Sequence, residues 1–280
     1  MAQRLELSRK QIQMSLSFIL SSLLFFNVGA QETPPVENNT IILPTIKHQA
    51  FAKGEKLNYE ISYGWLDAGE ASIEIKKENH TIADREVYHI VGLGNSTGTF
   101  NWFFKVRDRY ETYLDKNGVF PWIFVRDIHE GGFNLQQYYT FNPYEQKVVT
   151  EKKKEYKVPL GIQDMISSFY RARANDYSKA KPGDIFEFQA FVDNEIWPLK
   201  IKYLGVEQKE VNDKIFDCMV FSPVVQTGRI FKKEEDLKVW ITRDKNKIPV
   251  MAEAQILVGS IKMQLTDCSG LANPIAIIED

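Results

Sequence analysis

Residues 236–254 read DLKVWITRDKNKIPVMAEA, and this stretch contains the pattern that decides the fold class. Leu237, Val239 and Ile241 occupy every second position, the turn-forming residues 244–247 follow, and a new apolar run begins at Ile248. Alternation with period two is typical of a β-strand with one buried face, and Asp and Asn between two such runs favour a hairpin turn. The stretch therefore predicts two adjacent antiparallel strands.

The same pattern recurs from Phe51 onward. Ala71, Ile73 and Ile75 alternate with polar side chains, and a second turn cluster, Asp-Lys-Asn-Gly, occupies residues 115–118. We therefore predict an all-β, mainly antiparallel protein with a strongly curved sheet or incomplete β-barrel, because closure protects the sheet edges. It forms one domain over residues 51–270, followed by a C-terminal tail, 271–280.

One stretch near the middle of the chain has helical spacing instead. Asp164 stands early in it and Arg171 and Arg173 late, which suits the helix dipole. This predicts one central amphipathic helix at about 163–174 that plugs or flanks the sheet. Its apolar positions are Ile162, Met165, Ile166, Phe169 and Tyr170.

Turn residues on the two sides of this helix share one spacing. Gly54-Glu55 and Gly183-Asp184 lie 129 positions apart, as do two further pairs of turns. We infer, as a hypothesis, an internal duplication with similar halves at 54–121 and 183–250. The further pairs are Asp84-Arg85 with Asp213-Lys214, and Asp115-Lys116-Asn117 with Asp244-Lys245-Asn246.

The N-terminus has the three parts of a secretory signal peptide. Basic side chains precede an apolar run at 16–26, which ends in Val28-Gly29-Ala30. We predict cleavage after Ala30, then an extended, Pro-rich leader over 31–50. The expected location is the periplasm. The product is expected to be soluble, since no lipid-acceptor cysteine follows the cleavage site and no integral membrane segment remains.

The charge balance argues against a nucleic-acid partner. Loss of residues 1–30 removes three of the 35 basic and one of the 37 acidic side chains, which leaves a formal net charge of −4. Binding to phosphates requires clustered Lys and Arg, and the densest run, Lys152-Lys153-Lys154, is flanked by acids.

The two cysteines, Cys218 and Cys268, both belong to the exported part, where an oxidising compartment allows them to pair. A disulfide between them and two separate buried thiols are equally compatible with the spacing, because sequence distance does not place the Cβ atoms.

No motif of catalysis, metal binding or cofactor binding is present in the sequence. The nearest approach is Asp127-Ile128-His129-Glu130, in which Asp127 and His129 would share one strand face. One histidine is little for a metal site, and a polar strand end is the simpler interpretation. We therefore predict no metal, no cofactor and no assigned catalytic residue.

Aromatic side chains are crowded between residues 100 and 104. Rings in four of five positions cannot all lie on one face of a strand, so the segment is either irregular or packed on both sides. Core packing is one interpretation. The other is an apolar or sugar-stacking groove with Trp102, Phe103 and Phe104 at its mouth.

These landmarks resemble the DUF3108 family of exported bacterial proteins of unknown function, over roughly residues 51–266. The resemblance implies a β-barrel or β-sandwich in a Gram-negative envelope, hence a periplasmic location, and it supplies no active site. It rests on Gly54–Tyr59, Ala68–Ala71, Val106–Asp108, Pro121, Gln163–Met165, Val239–Asp244 and Ile248–Val250.

The function expected from the sequence is non-enzymatic: binding or assembly of a lipid-like or glycan envelope component held in the concave face. One alternative is an envelope polysaccharide or peptide hydrolase that uses Asp127, His129 and Glu130. Another is a structural scaffold that uses an exposed sheet edge.

Overall fold

The computed structural model describes residues 41–224, 236–256 and 259–278. The predicted signal peptide, residues 1–30, and the first ten residues of the predicted leader lie outside the described residues. Within the described ranges, neither helix has the length and apolar character needed to cross a bilayer.

Strands dominate the described residues, which confirms the predicted all-β class. The strands are β1 (Lys56–Tyr63), β2 (Leu66–Ile75), β3 (His80–Ile82), β4 (Arg85–Ser96), β5 (Arg107–Asp115), β6 (Pro121–Glu130), β7 (Phe133–Asn142), β8 (Lys147–Thr150), β9 (Glu155–Lys157), β10 (Ile185–Val192), β11 (Glu195–Val211), β12 (Lys214–Pro223), β13 (Leu237–Thr242), β14 (Pro249–Gln255), β15 (Ser260–Ser269) and β16 (Ile277–Ile278). The helices are α1 (Gly98–Phe103) and α2 (Met165–Arg173).

The strands form one curved, unclosed sheet, as the sequence predicts. Its order is β10-β11-β12-β13-β14-β15-β1-β2-β4-β5-β6-β7-β8-β9, with β3 added beside β4 and β16 beside β12. All strand pairs are antiparallel, and β15 with β1 joins the two meanders, Leu57 lying opposite Cys268. Between the end strands β9 and β10, the connecting segment approaches β10 and forms a parallel bridge from Gln163 to Ala190.

The two halves of the chain share the same order of strands. The first three long strands begin at Lys56, Leu66 and Arg85, and their counterparts begin at 185, 195 and 214, each 129 residues later. The turns agree as well: Asp84 and Asp213 have φ angles of 60° and 59°. This common order is what the duplication hypothesis requires, and the duplication itself stays a prediction.

Helix α2 lies inside the curve of the sheet, and its first turn is held by a capping box. Asp164 Oδ1 accepts a hydrogen bond from the Ser167 amide at 2.6 Å, and Ser167 Oγ accepts one from the Asp164 amide at 2.7 Å. Thr112 of β5 donates to Asp164 Oδ2 at 2.6 Å. Ile166 packs closely on Gly92 of β4. A Cβ atom added at Gly92 would lie only 3.3 Å from Ile166 Cδ1.

A buried ion pair anchors the other end of α2. Arg173 donates to both carboxylate oxygens of Glu55, at 2.6 and 2.8 Å, and both side chains are at most 2% exposed. The same guanidinium donates to the carbonyl oxygens of Ala50 and Asn246. It therefore ties the end of the leader and one turn of the second half to the helix.

The concave face is filled, contrary to the expectation that a ligand occupies it. Besides α2, fully buried aromatic side chains pack there, so a ligand would have to displace them. They are Tyr110, Phe124, Tyr139 and Phe191.

Strand β13 is covered on both faces. Val239 and Ile241 pack beneath Tyr177, which follows α2, while Trp240 joins the cluster that contains Phe169 of α2. Both faces of this strand are covered, so the alternation in sequence does not reveal which face points to the helix.

Candidate functional site

The connections β1–β2, β4–β5 and β6–β7 lie at the same end of the sheet, and four aromatic side chains in or next to them are exposed. Trp65 is 87% exposed, Trp102 83%, Phe103 64% and Phe133 51%. Strands β1, β4 and β6 all run toward this end. Since β1, β2, β4, β5, β6 and β7 follow one another in the sheet, the three connections are adjacent. We call this surface the aromatic end. Large exposed rings on adjacent connections are typical of an interaction surface.

The predicted trio at 102–104 is divided by helix α1, which the sequence did not predict. Trp102 and Phe103 point outward with ring centroids 5.2 Å apart, whereas Phe104 is buried. A Cβ atom at Gly131 would lie 2.2 Å from the Phe104 ring, so this ring packs directly under the β6–β7 turn. Phe104 thus anchors α1, and only Trp102 and Phe103 face solvent.

Backbone and hydroxyl contacts fix α1 to the sheet. Ser96 Oγ accepts a hydrogen bond from the Val106 amide at 2.9 Å and donates to Asn101 at 2.8 Å. The Thr97 amide donates to the Ala68 carbonyl oxygen at 3.2 Å. The exposed rings are therefore carried by a short helix that is tied at both ends.

A buried carboxyl pair lies on the inner face next to this end. Asp108 of β5 and Glu130 of β6 are 8% and 3% exposed, and their side chains are hydrogen-bonded to each other. Burial, and then the charge of Glu130, raise the pKa of Asp108 to about 7. The His129 amide donates to Asp108 Oδ1 at 3.1 Å, which partly opposes this rise. At neutral pH Asp108 is therefore close to the midpoint of its titration.

Arg126 extends this polar cluster across the opening of the sheet. Its Nη1 donates to Asp193 in the β10–β11 turn at 3.0 Å and lies 3.3 Å from Gln137 Oε1. Its guanidinium carbon lies 5.9 Å from the centroid of the Tyr110 ring. The contact with Asp193 joins the interior strand β6 to the turn that follows the edge strand β10.

The residues of the predicted hydrolase alternative do not converge. Asp127 and His129 lie on the outer face, with His129 Nδ1 3.6 Å from Asp127 Oδ1, and Glu130 points inward. Alternation along β6 separates them. The partner of Glu130 is Asp108, which sequence reasoning missed because the β5–β6 register brings them together. Among the described residues, no three His, Cys, Asp or Glu side chains form a metal-binding group.

Cys218 and Cys268 are free thiols in the structure. Cys218 is buried and Cys268 half-buried, and both contribute to the hydrophobic cluster around Leu57. Burial raises the pKa of Cys218 to about 12, and it also raises that of Cys268. Unreactive thiols fit these surroundings, and the disulfide stays a prediction.

Two surface hollows accompany these features. One, of about 540 Å³, lies on the outer face of β1, β2, β4 and β15 and has polar walls that include Glu60, Glu70 and Asn95. The other, of about 510 Å³, runs beside β10. Neither is lined by Trp102 or Phe103.

The fold and these features describe a barrel-like β-protein with one aromatic end. Residues 58–266 match the family described as "Protein of unknown function (DUF3108)". Since the match covers well over half of the chain, the protein belongs to this family.

Comparison with solved structures finds proteins of very low identity. A β-barrel-like protein of the domain of unknown function DUF1849 from Brucella abortus is 9% identical, and the alignment covers 81% of this chain and 99% of that one, with a TM-score of 0.49. The hypothetical protein CT021 from Chlamydia trachomatis is 8% identical, with coverages of 83% and 95% and a TM-score of 0.37. No curated protein matches the chain.

Proposed function

We propose that this protein is an exported, periplasmic envelope protein that binds a lipid surface through the aromatic end and carries out no catalysis. The observation that carries the proposal is the exposure of Trp102 and Phe103 next to each other on a rigidly held helix. Trp is favoured at membrane–water interfaces because its ring is apolar while its N–H stays hydrated. The signal-like residues 1–30 support export.

The charges next to α1 favour anionic lipid headgroups. Lys105 and Arg107 follow the helix directly, and both are exposed. Arg107 also donates to the Ser96 carbonyl oxygen at 3.1 Å, which holds its guanidinium beside the helix. Basic side chains beside interfacial aromatic rings are the combination that peripheral membrane proteins use.

The geometry favours binding of a lipid surface at the aromatic end over binding of a ligand in the concave face. A lipid chain in the interior would have to displace α2, whose first turn is held by Asp164. Hydrolysis by Asp127, His129 and Glu130 has no support in the geometry, because these side chains point to opposite faces. An interface that binds from outside requires neither an empty interior nor a catalytic group.

The test is flotation of the mature chain with vesicles of phosphatidylethanolamine, with and without phosphatidylglycerol. A ring of Trp size buries about 150 Å² or more, worth about 4 kcal/mol if fully removed from water. Half of that, for partial insertion, predicts that Trp102→Ala weakens binding roughly thirtyfold. Tyr144→Ala is the matched control, since this half-exposed ring lies at the opposite end.

Fluorescence gives a second readout, because only two of the five Trp side chains are exposed. Trp65 and Trp102 should shift to shorter wavelength on vesicle binding, while Trp122, Trp197 and Trp240 are at most 7% exposed and should not respond. Equal flotation of the Trp102→Ala variant and the wild type would contradict the proposal. So would binding to soluble glycans without any binding to vesicles, which would favour the sugar-stacking alternative.

A further inference from the structure

A groove runs along the free edge of β10. None of the residues that line it belongs to the aromatic end. Its volume is about 510 Å³, within the range of ligand sites. The leader, the segment before α2, the last turn of α2 and β10 contribute to its walls. The lining residues are Pro44, Ile46, Gly118, Leu160, Gly161, Ile162, Gln163, Arg171, Glu187, Phe188 and Gln189.

The main chain of β10 offers hydrogen-bonding groups to this groove. The Gln163 amide donates to the Gln189 carbonyl oxygen, and the Phe191 amide donates to the Gln163 carbonyl oxygen, both at 2.8 Å. Alternate residues of a strand direct their N–H and C=O groups to the same edge, so Glu187 and Ile185 direct theirs that way too. Among the described residues, backbone pairing on this edge ends at Gln189.

Apolar side chains stand beside this edge. Phe188 and Ile162 line the groove, and Leu160 is 40% exposed on its rim. An edge with free main-chain groups and neighbouring apolar pockets is the arrangement by which proteins bind an extended peptide as an added strand.

Arg171 supplies a positive charge without a carboxylate partner among the described residues. Its guanidinium carbon lies 5.3 Å from the centroid of the Phe188 ring, and Nη1 donates to Asn175 Oδ1 at 2.7 Å. Burial lowers the pKa of Arg171, because water is partly excluded from the group. The nearby acid Glu187 lies 3.3 Å from Lys200. A carboxylate brought by a ligand would therefore find a guanidinium that is partly desolvated and available.

Gln163 provides an unpartnered acceptor in the groove wall. The residue is 2% exposed, and its Nε2 donates to the carbonyl oxygens of Val119 and Gly161, at 3.2 and 2.7 Å. Its Oε1 is buried and, among the described residues, accepts no hydrogen bond. A buried acceptor without a donor is costly, and the two hydrogen bonds that Nε2 donates hold this side chain in place.

We propose that this groove binds an extended peptide segment of a partner protein, which pairs with the main chain of β10 at Ile185–Gln189 and places a carboxylate on Arg171. The main-chain edge supplies affinity, Phe188 and Ile162 select an apolar side chain, and Arg171 selects the acid. The site is independent of the aromatic end, so the two surfaces would allow the protein to connect a peptide with a membrane.

The experiment uses arrays of short fluorescent peptides in which valine, isoleucine or phenylalanine alternates with threonine, each made with a free C-terminal carboxylate and with an amide. We expect a subset of carboxylate peptides to bind the mature chain and to lose about tenfold in affinity as amides, as is typical for a hydrogen bond to a charged group. Arg171→Gln should weaken the binding of the carboxylate peptides by the same factor of about ten and leave the binding of the amide peptides unchanged. Lys179→Gln, which removes an exposed charge from the segment after α2 and outside the groove, should change neither.

The main-chain step is tested separately. Glu187→Pro removes one free N–H of the edge without removing a bond of the β10–β11 ladder, and should abolish binding, whereas Glu187→Thr should retain it. Thermal melting tests whether the variants fold. If the proline variant does not fold, the comparison of carboxylate and amide peptides still decides the proposal. Absence of binding by every peptide in the arrays would overturn the proposal. So would equal binding of carboxylates and amides, or self-association through this edge in analytical ultracentrifugation.

Discussion

Replacement of Asp108 by Asn should remove a pH dependence from the stability of this protein. Asp108 is buried against Glu130, and its pKa is raised from 3.8 to about 7. A raised pKa means that the folded state prefers the protonated carboxyl. This contribution to stability is therefore complete below pH 3.8 and is lost as the pH rises through about 7.

The magnitude follows from the size of the shift. A rise from 3.8 to about 7 is about 3 pKa units, and each unit is worth about 1.4 kcal/mol, which gives a limit of about 4 kcal/mol. Because part of the shift comes from the interaction of Asp108 with Glu130, we expect about 2–4 kcal/mol. An Asn amide at position 108 can donate a hydrogen bond to Glu130 as the protonated acid does. Unlike the acid, the amide keeps this hydrogen bond when the pH rises.

Urea unfolding at about pH 4 and about pH 8 measures the effect as a free energy of unfolding. Asp108→Asn should equal the wild type at the lower pH and exceed it by about 2–4 kcal/mol at the higher one. Asp127→Asn is the matched control, because this acid lies on the outer face of the neighbouring strand. A difference between Asp108→Asn and wild type that is the same at both pH values would refute the reasoning.

Three further predictions concern residues that hold the fold together. Glu55→Gln should cost about 3–5 kcal/mol in urea unfolding because it leaves the Arg173 guanidinium buried without its anion, and Glu55→Leu with Arg173→Met should recover most of this loss. A double variant as unstable as the single one would show that the pair is not the cause. Phe104→Ala should cost about 3–5 kcal/mol by the cavity that it creates under the β6–β7 turn, and a loss below about 1 kcal/mol would contradict the anchoring role. In the native protein a thiol reagent at neutral pH should label Cys268 slowly and Cys218 only after unfolding, as mass spectrometry would show, whereas a mass lower by two hydrogens in unreduced protein would reveal a disulfide instead.

Local patterns account for most of the correct expectations. Period-two alternation depends on backbone geometry alone, so strands such as β2 and β13 follow directly from the sequence. The helix predicted at 163–174 is found at Met165–Arg173, because Asp164 caps it through contacts within its own first turn. Turns such as 115–118 likewise depend on side chains that bond their own backbone, as Asp115 does with the Gly118 amide at 2.7 Å.

The candidate site depends on contacts that no local pattern contains. Trp102 and Phe104 have the same apolar character in sequence, yet one is exposed and the other lies under the turn of a neighbouring hairpin. Whether each ring is exposed or buried depends on which side of α1 contacts the sheet. The groove beside β10 also exists only because a distant segment pairs at Gln163 and then diverges from the strand.

The sequence by itself determined the class of fold, the position of the central helix and the family, because these follow from short-range periodicity and turn chemistry. Tertiary structure alone decided that the helix fills the concave face, that Glu130 meets Asp108 rather than His129, and that the two cysteines belong to one hydrophobic cluster. The physical reason is strand register. A one-residue change in pairing exchanges the two faces of a strand, and side-chain burial, pKa and access to a partner change with it.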